Sequence, residues 1–490
     1  MMNFKKISLS VLGLLLSFGV FAQVKFKIVY DDEGYDYARS VWQTHDQGYI
    51  IVGFSNTYNY GSQVMLMKTD SMGQRKWKKH FGNELIQTAS AIQQIEDSSY
   101  VVVGTTNQNV NNGYDILMMK FSREGDSLWT KTFGGEDWDT GEFLEQTADG
   151  GFIIAGSTFS YGNGGEDVYI IKTDSEGNME WSKTYGGPQR DYGKAIRQCD
   201  DLGYVIAATT ESFGAGGEDM YIIRTDPNGD TVWTSTVGDI GDDRANFVEE
   251  TQDGDFVVTG YTADPTTGIL KPPIVKLDAN GDEVFFSIFG AAVGEEHHVV
   301  HETHWGRYAL GGYNLGGAGG GGKDFVLVST GLSGWWEFAR TYGDLNDEMA
   351  YSMQVTNDNG YVLVGESNSF GDGLVNVFLV KTDSMGSSVQ NISVGVEENQ
   401  VQEFSKSFSY YPNPTSDKLF LSLSEKISKN ENVDLSILDL NGKQVFGSRH
   451  SVQPTIEVDL GHLSSGLYFL RLIQGSEIIG TKKLIVKANP

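Results

Sequence analysis

Cysteine is nearly absent: the chain has one, Cys199, in 490 residues. An internal disulfide is therefore excluded, and packing and hydrogen bonds must hold the fold; Cys199 itself reads as a small buried side chain. Basic residues are scarce too, 36 Lys+Arg against 65 Asp+Glu, a formal net charge of −29. A surface of that sign repels a phosphodiester backbone and excludes nucleic acid as a partner. The last 82 residues, from Ser409, carry nine basic and eight acidic side chains, which leaves 27 and 57 of those totals to the rest of the chain. The acidity therefore belongs to the region before Ser409. Long apolar runs are missing beyond Val20, so no transmembrane segment is expected in the body of the chain. No stretch keeps a helical period, and no Ser-His-Asp, Cys-His or zinc-hydrolase signature appears.

What is present is a repeat. An Asp-x-x-Gly turn feeding an aromatic strand recurs with its glycine at Gly73, Gly125, Gly177, Gly229, Gly281, Gly334 and Gly386. The spacing is 52 residues throughout except for one interval of 53. A fixed period in this range means a solenoid, a propeller or an array. Each unit holds four short apolar runs separated by turn residues, as in Glu142–Thr147, Phe152–Gly156, Val168–Lys172 and Met179–Tyr185. Runs of this length and composition are strands, and four antiparallel strands per unit make a propeller blade. Four residues after the turn glycine stand Trp77, Trp129, Trp181, Trp233, Phe285 and Phe338. A position filled in unit after unit reads as packing between blades.

The seventh unit has its turn at Gly386 but then becomes polar, so its fourth strand is missing. Val24–Tyr30 supplies it: Phe26 and Tyr30 carry the same aromatic spacing. A chain that begins with the last strand of its last repeat can shut a ring and remove two sheet edges. The expectation is an all-β fold, a seven-bladed propeller over 23–387 whose last blade is closed by the N-terminal strand, followed by a small C-terminal β-sandwich.

Residues 1–22 read as a secretory signal: Lys5 and Lys6, an apolar run from Leu12 to Val20, and a small-residue cleavage site at Ala22 before Gln23. No lipobox cysteine is there, so no lipid anchor is expected. Residues 388–408 read as a polar linker. Beyond it come Tyr411-Pro412-Asn413-Pro414, the Asp-x-x-Gly-Lys hairpin with Gly442 and Lys443, a Leu-x-x-Gly-x-Tyr strand with Gly466 and Tyr468, and a basic last strand around Lys482 and Lys483. Together these resemble the C-terminal sorting domain of the type IX secretion system of Gram-negative bacteria, over 409–490. That resemblance implies export, recognition by the outer-membrane translocon, removal of the domain, and release or attachment to surface lipopolysaccharide. The repeats are similar to propellers with a tryptophan-docking motif, as in quinoprotein dehydrogenases. The turn here is one residue shorter, and there is no adjacent cysteine pair or quinone site. The likeness therefore implies architecture and no activity.

Fourteen residues after each turn glycine stands Asp139, Asp191, Asp243, Glu295 or Glu348; Asp36 has the same place in the first unit and Gln87 in the second. Two readings are open. A carboxylate ring at the channel mouth could hold a cation, calcium being the hard cation that carboxylates suit. Alternatively, each carboxylate caps its own turn. No other cofactor is expected. Small residues two positions on, Ala38 and Gly141 among them, read as fitted to a crowded axis. The loops between second and third strands carry Tyr58, Tyr60 and Tyr161 among Asn and Ser, a surface suited to hydroxyl-rich ligands. Unit six holds four of the eight histidines. On strict alternation His297 and His301 share one face, and they are the metal candidates. The functional expectation is a secreted or surface-displayed binding module for a glycan or protein ligand. The alternatives are a surface enzyme acting on glycans through two ring carboxylates and a purely structural surface protein.

Overall fold

The computed structural model of the chain describes residues 23–487 except 33, 58–59, 83–85, 108–112, 289–293, 317–321, 371–373, 390–392, 396–407, 412–414, 416, 424–431, 439–442, 454, 462 and 475–476. The expected signal sequence, Tyr58, Pro412-Asn413-Pro414 and Gly442 lie outside the described residues. The chain divides into two compact units, Met1–Gly395 and Val396–Pro490. Among the described residues every regular element is a strand.

The first unit is seven antiparallel sheets in sequence, the blades of a propeller. Blade 3 shows the pattern: Asp139–Gln146, Phe152–Thr158, Asp167–Thr173 and Met179–Tyr185, paired in that order. Blades 1, 2, 4, 5 and 6 occupy 35–81, 87–133, 191–237, 243–288 and 296–342. Blade 7 is assembled from both ends of the unit. Glu348–Val355, Tyr361–Ser367 and Asn376–Thr382 are completed by Phe26–Tyr30, with Phe26 opposite Lys381 and Tyr30 opposite Val377. Inside the stretch read as a linker, Ser393–Gly395 pairs in parallel with this closing strand and gives blade 7 a fifth strand. It covers backbone groups that would otherwise form an open edge.

The two middle strands of a blade are buried at nearly every position because both faces are covered by neighbouring blades. All seven residues are buried in each of Phe152–Thr158, Asp167–Thr173, Tyr204–Thr210 and Asp219–Thr225. Contact from blade to blade runs through the repeated aromatics. A Cβ added to Gly177, whose φ is +75°, would sit 2.8 Å from the Trp129 ring, and one at Gly125 would sit 2.5 Å from Trp77. Each indole thus lies on the turn glycine of the following blade, where both the positive φ and the ring demand glycine. Phe26 stands in the same relation to Gly73, 2.9 Å from that virtual Cβ, so the borrowed strand also docks in the ring's register. Tyr30, Tyr185 and Tyr342 donate their hydroxyls to Gly73 O, Gly229 O and Gly386 O at 2.7, 2.6 and 2.6 Å.

In each inner strand the register against the second strand slips once. Arg39, Ser90, Glu142, Lys194, Asn246, His298 and Tyr351 are the extra residues. Such a β-bulge brings the facing backbone close. A Cβ at Gly53, Gly104, Gly156, Gly260, Gly312 or Gly365 would lie within 2.0 Å of a carbonyl oxygen across the bulge. Ala208 is the one departure, and nothing larger occurs there. Gly104→Val is accordingly expected to cost about 1–3 kcal/mol by overpacking against the Thr88 carbonyl, read as a lowered denaturation midpoint with an unchanged m-value.

The second unit is two sheets. One contains Phe408–Tyr411, Lys418–Leu423 and Thr455–Asp459; the other contains Asn432–Leu438, Gln444–Ser451, Gly466–Gln474 and Glu477–Val486. Leu419, Leu421, Val433, Leu435, Ile437, Leu470, Leu472 and Leu484 fill the space between them. This is a small sandwich built on alternating inward residues.

Candidate functional site

The repeated carboxylates begin the inner strands and are buried, none more than 3 % exposed. Most of their hydrogen bonds come from the adjoining loops, and Asp139 Oδ1 and Asp243 Oδ1 are buried without one among the described residues. Asp139 accepts from Gly135 N (2.8 Å) and Ser160 Oγ (2.7 Å). Asp191 accepts from Gly187 N (2.7 Å), Ser212 Oγ (2.6 Å) and Thr210 Oγ1. Asp243 accepts from Asp239 N at 2.9 Å, and Glu348 from Asp344 N at 2.8 Å and Ser367 Oγ at 2.7 Å. Asp36 accepts from Ser55 and pairs with Lys78, while Glu295 meets His297 Nε2 at 3.1 Å. The aspartates that start third strands come close to them. A Cβ at Gly186 would be 2.0 Å from Asp167 Oδ1 and 2.8 Å from Asp191 Oδ2. Burial, reinforced by the Asp191 carboxylate, pushes Asp167 above the usual range, and burial with Asp239 and Asp219 does the same to Asp243. None of the six lines the axial cavity. Among the described residues no group of three His, Cys, Asp or Glu side chains is placed to hold a metal ion.

The loop tyrosines divide. Tyr161 is 45 % exposed, donates to Gly134 O at 2.8 Å and packs 5.5 Å from Tyr169. Phe213 sits on Tyr221 and Phe370 on Phe378 in the same manner, so this position recurs as a loop anchor. Tyr60 opens its strand, and its side chain lies outside the described residues.

The bulge corrects two expectations. One extra residue reverses the parity of the inner strand after it. His298 and His301 therefore both line the axial cavity, whereas His297 is fully buried beside Glu295. The shared face assigned to His297 and His301 by strict alternation does not exist. Gly141 also answers to a neighbouring blade, since a Cβ there would meet Gly104 O and Val103 Cγ2 of blade 2, each at 2.8 Å, whereas Ala89 does line the axial cavity.

What does reach the axis is the bulge residue itself, one from each blade, around a cavity of about 560 Å³. These seven positions are Arg, Ser, Glu, Lys, Asn, His and Tyr, with no repeat among them. On one side they join a crescent of aromatics and cations. Arg39 lies 4.0 Å from the Tyr351 ring centroid and 5.3 Å from that of Phe54, and Tyr37 stacks on Phe54 at 4.6 Å. His298 stands 5.2 Å from Tyr351 and 5.7 Å from Tyr313. Arg244 lies over Tyr261 and Tyr192 at 5.4 and 5.8 Å. Blades 2 and 3 face this crescent with small polar Thr88 and Ser90, and with Glu142.

Carboxylates orient the crescent, Glu366 and Glu218 buried behind it and Glu296 within the lining. Glu366 takes Arg39 Nη1 at 3.2 Å and the Tyr351 hydroxyl at 2.9 Å. Glu218 takes Arg244 and the Tyr192 hydroxyl. Glu296 takes the Tyr313 hydroxyl at 2.6 Å and Asn246 Nδ2 at 3.1 Å. Burial opposes ionisation of Glu296, but His298, Tyr313 and Asn246 outweigh it and hold it below the usual carboxylate range. Burial pushes His298 down to about 4, against the pull of Glu296, so the imidazole is neutral at pH 7. Among the described residues its buried Nε2 has no hydrogen-bond partner, and Glu296 Oε1 stands 3.9 Å away.

One layer further in, a charge belt crosses the floor. Arg197 pairs with Glu145 at 3.3 Å and Glu249 at 3.9 Å; Glu249 pairs with His301 Nδ1 at 2.6 Å, and His301 Nε2 reaches Met353 O at 3.2 Å. Burial opposes the charge on Glu249, and His301 and Arg197 outweigh it. Phe143 and Phe247 meet edge to face at 5.6 Å beside this belt. The mouth of the cavity is thus lined by polar and aromatic groups, and its floor is packed.

Comparison with known proteins accords with the two-part architecture. Residues 409–487 match the family described as the secretion system C-terminal sorting domain. No curated protein sequence matches the chain. The beta-propeller domain of the Trilobed protease from Pyrococcus furiosus is similar at 10 % identity over 73 % of this chain and 95 % of that one, with a TM-score of 0.42. Puromycin hydrolase is similar at 11 % identity over 68 % and 50 %, with a TM-score of 0.41. The seven-blade assignment rests on the ladders described above, and no activity is carried across from these structures. The chain is a β-propeller with a type IX secretion sorting tail, and that tail marks it as cargo for export to the cell surface or the extracellular space.

Proposed function

We propose that the exported propeller is a binding module whose ligand enters the mouth of the axial cavity, and that an N-terminal secretory signal starts its export. The observation that carries this reading is the contrast between positions. Residues that build the blades repeat from unit to unit, whereas the seven bulge residues around one cavity all differ. Architecture requires sameness; recognition of one particular ligand requires a particular set. The repeated carboxylates Asp36, Asp139, Asp191, Asp243, Glu295 and Glu348 fall on the architectural side of that contrast.

A glycan array probed with the purified chain and with Tyr351→Ala, Asn246→Ala and Asp139→Asn tests this. A bound glycan lost at least tenfold in the first two variants and retained in the third is the expected result. Retention in both axial variants, each with the parent's melting temperature, would remove the axial mouth as the site. Release of a shortened glycan by the parent chain would make it an enzyme instead.

A further inference from the structure

We infer that the axial mouth selects an organic anion carried on a ring with an apolar face, specifically an acidic (uronate-type) sugar unit of a polysaccharide. The inference rests on the axial-mouth reading and adds the chemistry of the occupant. It begins with the charged groups of the lining, Arg39, Lys194, Arg197 and Arg244 with Glu142 and Glu296. Each cation is paired with a carboxylate, Glu366, Glu142, Glu145 and Glu218 in turn, so what sets the cavity apart is not its net charge but the cationic donors turned toward its space.

The direction in which the cations point supports the same conclusion. The Arg39 side chain is 26 % exposed and its partner Glu366 7 %; Arg244 is 40 % exposed and Glu218 10 %. In both pairs the carboxylate is the buried member and the guanidinium is the one presented. Each guanidinium gives one edge to its carboxylate and keeps further N–H donors for the cavity, the fork that a carboxylate accepts in bidentate fashion. Lys194 reaches Glu142 at 3.5 Å, with both side chains about one third exposed, and lies 5.9 Å from the Tyr192 ring centroid. The Glu142 contact is loose enough for a ligand anion to replace it.

The remaining lining fits the sugar and not merely its charge. The Tyr351 and Phe54 rings give the lining its aromatic surface, and Thr88 and Ser90 add hydroxyl groups on the facing side. The cavity, at about 560 Å³, falls in the range of small-ligand pockets, roughly 300–1,000 Å³.

Calorimetric titration of the full chain with trigalacturonate, neutral trigalactose and acetate separates the possibilities. Trigalacturonate is expected to bind at least tenfold more tightly than the neutral trimer and to weaken as salt is raised. Arg39→Gln and Arg244→Gln should each weaken it by about tenfold, and Glu142→Gln, which removes a competing carboxylate, should tighten it. Because Glu142→Gln predicts a gain, a merely misfolded variant cannot mimic it. Equal, salt-independent binding of the two trimers, lost in Tyr351→Ala, would overturn the anion and leave the axial mouth as the site. Acetate binding as tightly as the trimer would overturn the sugar. Binding of no titrant, together with an array hit that the axial variants leave intact, would overturn both readings.

Discussion

Val29→Asp is expected to unfold most of the propeller. Val29 is fully buried and belongs to the core that blade 7 shares with blade 6, while Phe26, Ile28 and Tyr30 on the other face of the same strand pack against blade 1. The closing strand therefore touches both neighbours. A carboxylate at position 29 must either be buried without a partner or pull the strand out, and both routes open the ring. Large effects of this origin exceed about 4–5 kcal/mol, out of a total stability on the order of 5–15 kcal/mol for a folded domain. Thermal melting reads the loss. Amide exchange within Asn376–Thr382 reads its cause, since the amides on the side away from Tyr361–Ser367 are shielded only while Phe26–Tyr30 lies beside them. Ile28→Ala, which leaves a cavity but no charge, should cost about 2–5 kcal/mol. A Val29→Asp protein that melts with its parent would show that closure contributes nothing.

Asp358→Ala should be far more damaging than Lys381→Met. Lys381 is 1 % exposed, with Nζ donating to both Asp358 oxygens at 2.9 Å and to Thr382 O at 2.8 Å. Burial lowers the lysine's pKa, and Asp358 works against that. Removing the aspartate strands a buried cation, at a cost of about 3–5 kcal/mol, whereas replacing the lysine with a hydrophobe of similar length is close to neutral. Equal melting temperatures in the two variants would refute this. The same motif recurs as Lys68–Asp46, Lys172–Asp149, Arg224–Asp201 and Lys276–Asp253, at 2.9, 2.8, 2.5 and 2.6 Å. Burial works against the charge of Asp149, but hydrogen bonds from Lys172, Thr147 and Gly151 outweigh it and bring the carboxyl down to about 2. A carboxylate held below its unfolded value contributes stability above about pH 4 and loses it as pH falls through the folded value. Burial likewise opposes the charge of Asp358, but Thr356, Lys381 and Gly360 outweigh it, so parent and Lys381→Met, nearly equal at pH 7, should diverge as pH falls below about 4, with the parent melting lower.

Much of this molecule is legible in its sequence because propeller blades are local. The 52-residue period, the four strands, the indole on the next turn glycine and the borrowed Phe26–Tyr30 strand each depend on residues close in sequence or on a register that repeats. The axial site was hidden by a single feature. A bulge adds one residue to a period of two, so alternation carried past Ala38 or His297 assigns every later side chain to the wrong face. The clue was present in the mid-strand glycines Gly53, Gly104, Gly156, Gly260, Gly312 and Gly365, which mark close backbone approach within strands otherwise made of β-branched residues. The repeated carboxylates stand out for the opposite reason. Recurrence made Asp139 and Asp191 conspicuous, and recurrence is what a loop anchor shows. The pairing of Ser393–Gly395 with the closing strand could not be read from three unremarkable residues beyond the last repeat.

The closing strand also bears on how a finished molecule differs from a damaged one. Phe26 meets Lys381 only after every intervening blade has been made. A product cut short anywhere before blade 7 keeps intact blades but leaves its first strand without a mate and its hydrophobic edges open to other chains. The two ends of the propeller thus act as a completeness check, passed only by a chain that has arrived whole.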